Sequence, residues 1–141
     1  MSHHQIRKRR ERRGANAIEF ALTLPAFLAM ILGSMEYGVI FMTQAGLDNA
    51  VSIGCREGAM IDPLIGSPVS TADAKVQELS AYWCAETACD IDITDSGGGT
   101  VPARTLECRI SRDTNPIIEF VPAPLTLSST SQYRFEWQRA N

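Results

Sequence analysis

The sequence predicts an α+β fold. A long N-terminal helix, transmembrane in its first half, continues into a small domain with a short helix and an antiparallel sheet. Three observations carry this. A basic run precedes an apolar stretch, Phe20 to Met35, that holds no charge. Helical character then persists beyond that stretch to about Met60. After Met60, short alternating segments lie between proline- and glycine-rich turns, and Cys84, Cys89 and Cys108 join the helical Cys55 on the far side of the apolar stretch.

The basic run is Arg7, Lys8, Arg9, Arg10, Arg12 and Arg13, interrupted by Glu11 and followed by Gly14. Met1 to Gln5, with His3 and His4, reads as a disordered tail and not as a metal site. Phe20 to Met35 alone covers about 24 Å at about 1.5 Å per residue, against a hydrocarbon core of about 30 Å. Ala15 to Ala17 on one side and Tyr37 to Met42 on the other make it long enough. Glu19 and Glu36 then fall near the two interfaces, where a charge costs less than at the midplane. Positive charge beside a span stays cytoplasmic, so the C-terminal part is expected to be translocated. A secretory signal peptide has the same order, but no small-x-small cut before a polar mature start follows here. The span is expected to be retained.

From about Ala15 the helix is expected to run to about Met60, with Pro25 removing the hydrogen bond to Ala21 and kinking it. Beyond the membrane Ser34, Gly38, Met42, Gly46, Ala50, Gly54 and Gly58 form a row at four-residue spacing. Small residues in such a row admit a close neighbour, with Val39, Leu47, Val51 and Ile53 beside it. Asp62-Pro63 ends the helix. Gly66 to Pro68 reads as loop, and Ser70-Thr71 as the cap of a second helix ending near Trp83, with Ala72, Val76, Leu79 and Trp83 on its apolar face.

Cys89 to Thr94 alternates strictly and reads as a half-buried strand. Gly97 to Gly99 is the turn, and Thr105 to Arg112 the return strand with Leu106, Cys108 and Ile110 on one face. Ile117 to Val121 is a short apolar piece between prolines. Gln132 to Gln138 closes the sheet with Tyr133, Phe135 and Trp137 inward. The part after the helix is about 80 residues, near the size at which a core alone is marginal. An even cysteine count on the oxidising side of a membrane reads as two disulfides, with three possible pairings. A hairpin centred on Gly98 would favour Cys89–Cys108 with Cys55–Cys84. The rival is Cys84–Cys89 with Cys55–Cys108.

Residues 1–14 hold six basic groups and one acid, net +5; the remainder holds seven basic and fifteen acidic groups, net −8, which sums to the −3 of the chain. An acidic external part argues against nucleic-acid binding, and the basic leader reads as a topology signal. No catalytic residue, cofactor or metal site is expected. There is no nucleophile elbow, and no histidine lies beyond the leader. Cys84-x4-Cys89 lacks the spacing of a redox pair and has no histidine for zinc. Asp90, Asp92 and Asp95 lack the dense pattern and closing glutamate of a calcium loop and read as a solvated strand face.

Gly14, followed by an apolar helix with Glu19 as the fifth residue after it, resembles a type IV prepilin processing site. The longer string adds Arg12-Arg13-Gly14-Ala15, Ala17-Ile18-Glu19-Phe20-Ala21-Leu22, Leu24-Pro25, the element Gly33-x-x-Glu36-Tyr37-Gly38, Gln44-Ala45, Asn49-Ala50 and Arg56-Glu57-Gly58-Ala59. Over about residues 12–60 it resembles the TadE-like family of minor pseudopilins from tight-adherence (Tad or Flp) pilus systems. A fainter similarity covers Leu125 to Glu136.

The resemblance implies a pilin-like domain and a non-enzymatic subunit involved in surface adhesion. Residues 1–14 would be a cytoplasmic leader, cleaved between Gly14 and Ala15 by a prepilin peptidase. Residues 15–60 would be the retained helix, and 61–141 a periplasmic or extracellular disulfide-linked domain. Expected partners are that peptidase, other pseudopilins, the pilus assembly platform and the lipid bilayer. The expected location is a bacterial inner membrane, single-pass. The alternative is an unprocessed single-pass anchor that displays a small binding domain.

Overall fold

The computed structural model describes residues 3–96, 104–116 and 122–135, with side chains from residue 16 onward. The chain forms helix α1 (His3–Ala59), helix α2 (Pro68–Ser80) and strands β1 (Cys89–Asp95), β2 (Thr105–Asp113) and β3 (Thr126–Arg134). The strands make one antiparallel sheet in the order β1-β2-β3. The α+β class holds: a long apolar helix, a short helix and a three-stranded sheet.

α1 begins in the leader, at His3 rather than Ala15, so the helix includes part of the expected tail. Arginine, lysine and glutamate are good helix formers, and no breaker interrupts them. The helix also runs on through Pro25. It ends at Ala59, ahead of Asp62-Pro63, where Asp62 Oδ1 accepts from the Leu64 N–H at 2.9 Å and its carbonyl accepts from Ile65 and Gly66.

α2 starts earlier than the sequence suggests. Ser67 is its N-cap, accepting the Ser70 N–H on Oγ, and Pro68 takes the first turn. Proline there forfeits no hydrogen bond and brings a preset φ, so the expected loop is a helix start. α2 also stops at Ser80, short of Trp83.

The upper half of α1 is the centre of the domain. Leu47, Val51 and Cys55 are fully buried, with Ala72 and Val76 of α2, Leu106, Cys108 and Ile110 of β2, and Leu127 and Phe135 around them. The expected inward face of β2 is therefore correct. The row of small residues divides in two. A Cβ on Gly46 would overlap the Trp83 indole. One on Gly54 would lie 2.5 Å from Val76 Cγ2, and one on Gly58 would lie 2.6 Å from Ala72 Cβ and 2.7 Å from the Pro68 carbonyl oxygen. Lower down, a Cβ on Gly38 would point into open space, with no packing neighbour within 4 Å. Of the flanking apolar residues, Leu47 and Val51 are buried, whereas Val39 and Ile53 stay largely exposed.

β3 begins at Thr126, six positions before the expected Gln132. Its first half is serine- and threonine-rich and carries no apolar alternation. The polarity has a packing cause: Thr126, Ser128 and Thr130 face solvent, while the inward Ser129 is small enough for α1 to pass close by. Gln44 Nε2 donates to the Ser128 carbonyl at 3.1 Å, and the Ser52 and Tyr133 hydroxyls are 2.9 Å apart. Phe135 is buried as expected. Trp137, Ile117 to Val121 and the Gly97–Gly99 turn lie outside the described residues. At the turn end of the hairpin Arg104 Nε donates to the Asp95 carboxylate at 3.0 Å, which holds the guanidinium pKa above its ordinary value, and the Arg104 guanidinium carbon stands 5.4 Å from the Phe135 ring centroid.

The disulfides are Cys55–Cys108 and Cys84–Cys89. The pairing favoured by a hairpin centred on Gly98 is wrong because the register differs. Cys89 stands opposite Arg112, and Cys108 opposite Ile93. The connection from β1 to β2 is therefore centred beyond Gly98, and Cys89 and Cys108 share a face without being opposite. Cys55–Cys108 bolts α1 to the central strand. Cys84–Cys89 ties the exit of α2 to the start of β1.

Two outcomes follow for stability. The chain-entropy model assigns about 4 kcal/mol to the bridge with a sequence separation of 53 and about 2 kcal/mol to the one with a separation of 5. Replacing Cys55 and Cys108 by alanine is expected to lower the urea midpoint of the detergent-solubilised protein more than replacing Cys84 and Cys89. The opposite order would contradict the bolt. Gly58→Ala is expected to cost about 1–3 kcal/mol by overpacking, whereas Gly38→Ala, in open space, is expected to stabilise by up to about 1 kcal/mol through helix propensity. The same urea titration, followed by tryptophan fluorescence, reads both.

Candidate processing and assembly segment

The candidate residues lie along α1. The Gly14–Ala15 junction is inside its helical span, and Glu19 is exposed just over one turn further on. Among the described residues no ion pair forms at Glu19. From Asn16 to Leu32 every residue is exposed, including Phe20, Leu22, Phe27 and Met30. α1 is the one helix among the described residues long and apolar enough to cross a membrane. Its hydroxyls are turned onto its own backbone. Thr23 Oγ1 donates to the Glu19 carbonyl at 3.0 Å, and Ser34 Oγ to the Met30 carbonyl at 2.7 Å. In lipid, where no water can serve them, this local pairing makes the hydroxyls tolerable.

The Gly33-x-x-Glu36-Tyr37-Gly38 element marks the joint between this bare helix and the domain. Glu36 is only 4% exposed. The sequence reading puts it near the second membrane interface; the structure adds that the domain encloses it. Together with Ile40, Thr43, Arg112 and Leu127 it lines a cavity of about 50 Å³. The next residue, Tyr37, donates its hydroxyl to the Pro122 carbonyl at 2.6 Å. The approach to β3 is thereby fastened to α1 at the lowest level of the domain.

Residues 14–56 match the family described as TadE-like protein. No curated protein and no solved structure matches the chain. The matched segment begins at Gly14 and includes Ala15, Glu19, Glu36 and Tyr37. It therefore takes in the exposed span, the joint and the part of α1 that forms the centre of the domain. It stops after Cys55, the residue that bolts α1 to β2. A TadE-like segment of this kind fits a protein associated with a Tad pilus.

The predicted positions Gly14, Ala15 and Glu19 share one stretch of helix, while Cys55, Cys84, Cys89 and Cys108 lie in the domain as two bridges. Glu36 was visible in the sequence as part of a motif and as a charge near the end of the apolar stretch, but not as a buried group. Its enclosure depends on residues 112–116 and 127, which sequence spacing does not bring near it. The Pro122 carbonyl is a backbone group and left no signal at all.

Tyr37→Phe is expected to cost about 0.5–1.5 kcal/mol, the usual net value of one hydrogen bond. The local readout is amide exchange at Thr114, whose N–H donates to the Leu125 carbonyl at 2.9 Å. Unchanged protection there would show that the tyrosine bond does not hold the segment.

Proposed function

We propose that the chain is a minor pseudopilin. It serves as a structural and assembly subunit of a Tad pilus involved in surface adhesion, cleaved by a prepilin peptidase after Gly14. The observation that carries the reading is the TadE-like match starting at Gly14, on a helix that is exposed from Asn16 to Leu32, mostly apolar there, and whose second half is the spine of a folded domain. The partners in this reading are the peptidase, other pseudopilins, the assembly platform and the bilayer. In this reading the protein is single-pass in a bacterial inner membrane, with the basic leader cytoplasmic and the domain periplasmic, an orientation that the positive charge beside the span supports.

The roles of the three residues follow from their chemistry. Gly14 has no side chain to obstruct an extended substrate in a narrow protease site. Cleavage leaves a positive amine on Ala15 near the membrane boundary. Glu19 is a carboxylate near the membrane boundary, where a charge still costs free energy, though less than the about 2.5–3.5 kcal/mol it costs at the helix centre on insertion scales. Pairing with a cation offsets that cost. The amine of a neighbouring subunit makes the pair a contact for assembly, and the amine of the same helix makes it a local cap.

Amino-terminal sequencing of the membrane-extracted protein is expected to begin at Ala15. A start at Met1 or Ser2 would favour the unprocessed anchor. Gly14→Val is expected to remain uncut, and mature-sized protein from it would refute the site. Glu19→Ala is expected to insert and be cleaved but to fail in pulldowns of partner pseudopilins or assembled pili. Normal co-assembly would remove the charge-pairing contact between subunits.

A further inference from the structure

We propose that the base of the domain, formed by Tyr37, Phe41 and Leu125, rests in the headgroup region of the bilayer. The domain is then held on the membrane surface instead of standing clear of it. This rests on α1 being the membrane span.

The first argument is length. Asn16 to Met35 covers about 30 Å at about 1.5 Å per residue, which is the thickness of the hydrocarbon core. The next residue, Glu36, is already enclosed by the domain. No bare helix remains to act as a stalk.

The second argument is level. Gln44 bonds the Ser128 carbonyl, and Tyr37 bonds the Pro122 carbonyl. Tyr37 lies seven residues below Gln44 on the helix, about 10 Å at helical rise. Leu125 lies three residues before Ser128, about 10 Å at extended rise. Leu125 is therefore level with Tyr37, two helix residues beyond the end of the span.

The third argument is chemistry. Leu125 is 85% exposed and Phe41 69%, and the Phe41 ring centroid stands 6.4 Å from that of Tyr37. Isolated exposed apolar residues are ordinary on a soluble surface. These are continuous with the apolar span, and an amphipathic ring such as that of Tyr37 is the side chain favoured at headgroup level. Pro122 and Pro124 beside Leu125 have no N–H, so fewer donors lose water when the segment approaches lipid. Exposed Asp113, at the neighbouring end of β2, sets the limit of depth: the contact is with headgroups and not with hydrocarbon.

The test uses the full chain in vesicles of phosphatidylethanolamine and phosphatidylglycerol, at lipid excess sufficient for about one copy per vesicle. The four native cysteines are paired, so Leu125→Cys, Leu64→Cys and Leu28→Cys each supply a single free thiol for an environment-sensitive fluorophore. Leu64 is as exposed as Leu125 but lies in the turn after α1, at the far end of the domain, and Leu28 lies in the span. Quenching by a nitroxide lipid labelled near the headgroup is expected to be roughly threefold stronger at position 125 than at 64, as interfacial seating requires. Position 28 is expected to be quenched by a deep label. Equal quenching at 125 and 64, with 28 still deep, overturns the seating and leaves the span. A water-accessible label at 28 overturns the span and the seating with it. Protection at 125 that disappears on lipid dilution assigns the patch to a second copy and overturns the proposal.

Discussion

One helix has to satisfy two solvents, and the rest of the molecule is arranged around that constraint. From Asn16 to Leu32 α1 is exposed on every side and mostly apolar, as a lipid-facing segment must be. The upper part runs through the core of the domain, with Leu47, Val51 and Cys55 fully buried. A helix can switch roles in this way only if its partners reach it closely. Gly46, Gly54 and Gly58 provide that approach on the α2 side, and the small inward Ser129 provides it on the β3 side. Each glycine costs up to about 1 kcal/mol of helix propensity. The close packing of Val76, Ala72 and Pro68 against the helix offsets it.

The core gained this way is small. Leu47, Val51, Val76, Leu106 and Ile110 contribute about 1.5–3 kcal/mol each when fully buried. In a domain of about 80 residues such a core is close to the margin set by chain entropy. The two bridges act at different scales. Cys55–Cys108 closes a long loop and joins the first element to the central strand. Cys84–Cys89 closes a short loop and fixes how the chain enters the sheet. The pairing thus places the stronger constraint where the sequence separation is greatest.

What the sequence made legible follows from where a periodic or compositional signal exists. The apolar run, the end of α1 before Asp62-Pro63, the alternation of β1 and the Leu106-Cys108-Ile110 face each carry such a signal. The start of α2 was misread because Ser67-Pro68 suits a loop as well as a helix start. The first half of β3 was missed because Leu127 is the one large apolar residue among its inward positions, the next being Ser129, so no apolar alternation marks it. The cysteine pairing turned on the register of a hairpin whose glycines offered no fixed centre. Of the candidate segment, Gly14, Ala15 and Glu19 were singled out by their resemblance to a prepilin processing site, and they lie on α1. The enclosure of Glu36 and the Tyr37 bond were not legible, since their partners lie some 80 residues further along the chain.

The joint at Glu36 and Tyr37 has a mechanical meaning. α1 passes from the span into the core without a break, and no positive-φ residue among those described relaxes it there. The segment leading to β3 is fastened to the helix at the same level, and the disulfide to β2 fastens it again some five turns higher. The domain is therefore fixed to the helix at two heights and cannot swivel on it. Any tilt or rotation of the lower helix is carried directly into the orientation of the domain. In the pseudopilin role proposed above, a contact made in the lipid at Glu19 would thereby also fix the way the domain faces outside it. Assembly then requires no separate recognition site on the domain to orient the subunit.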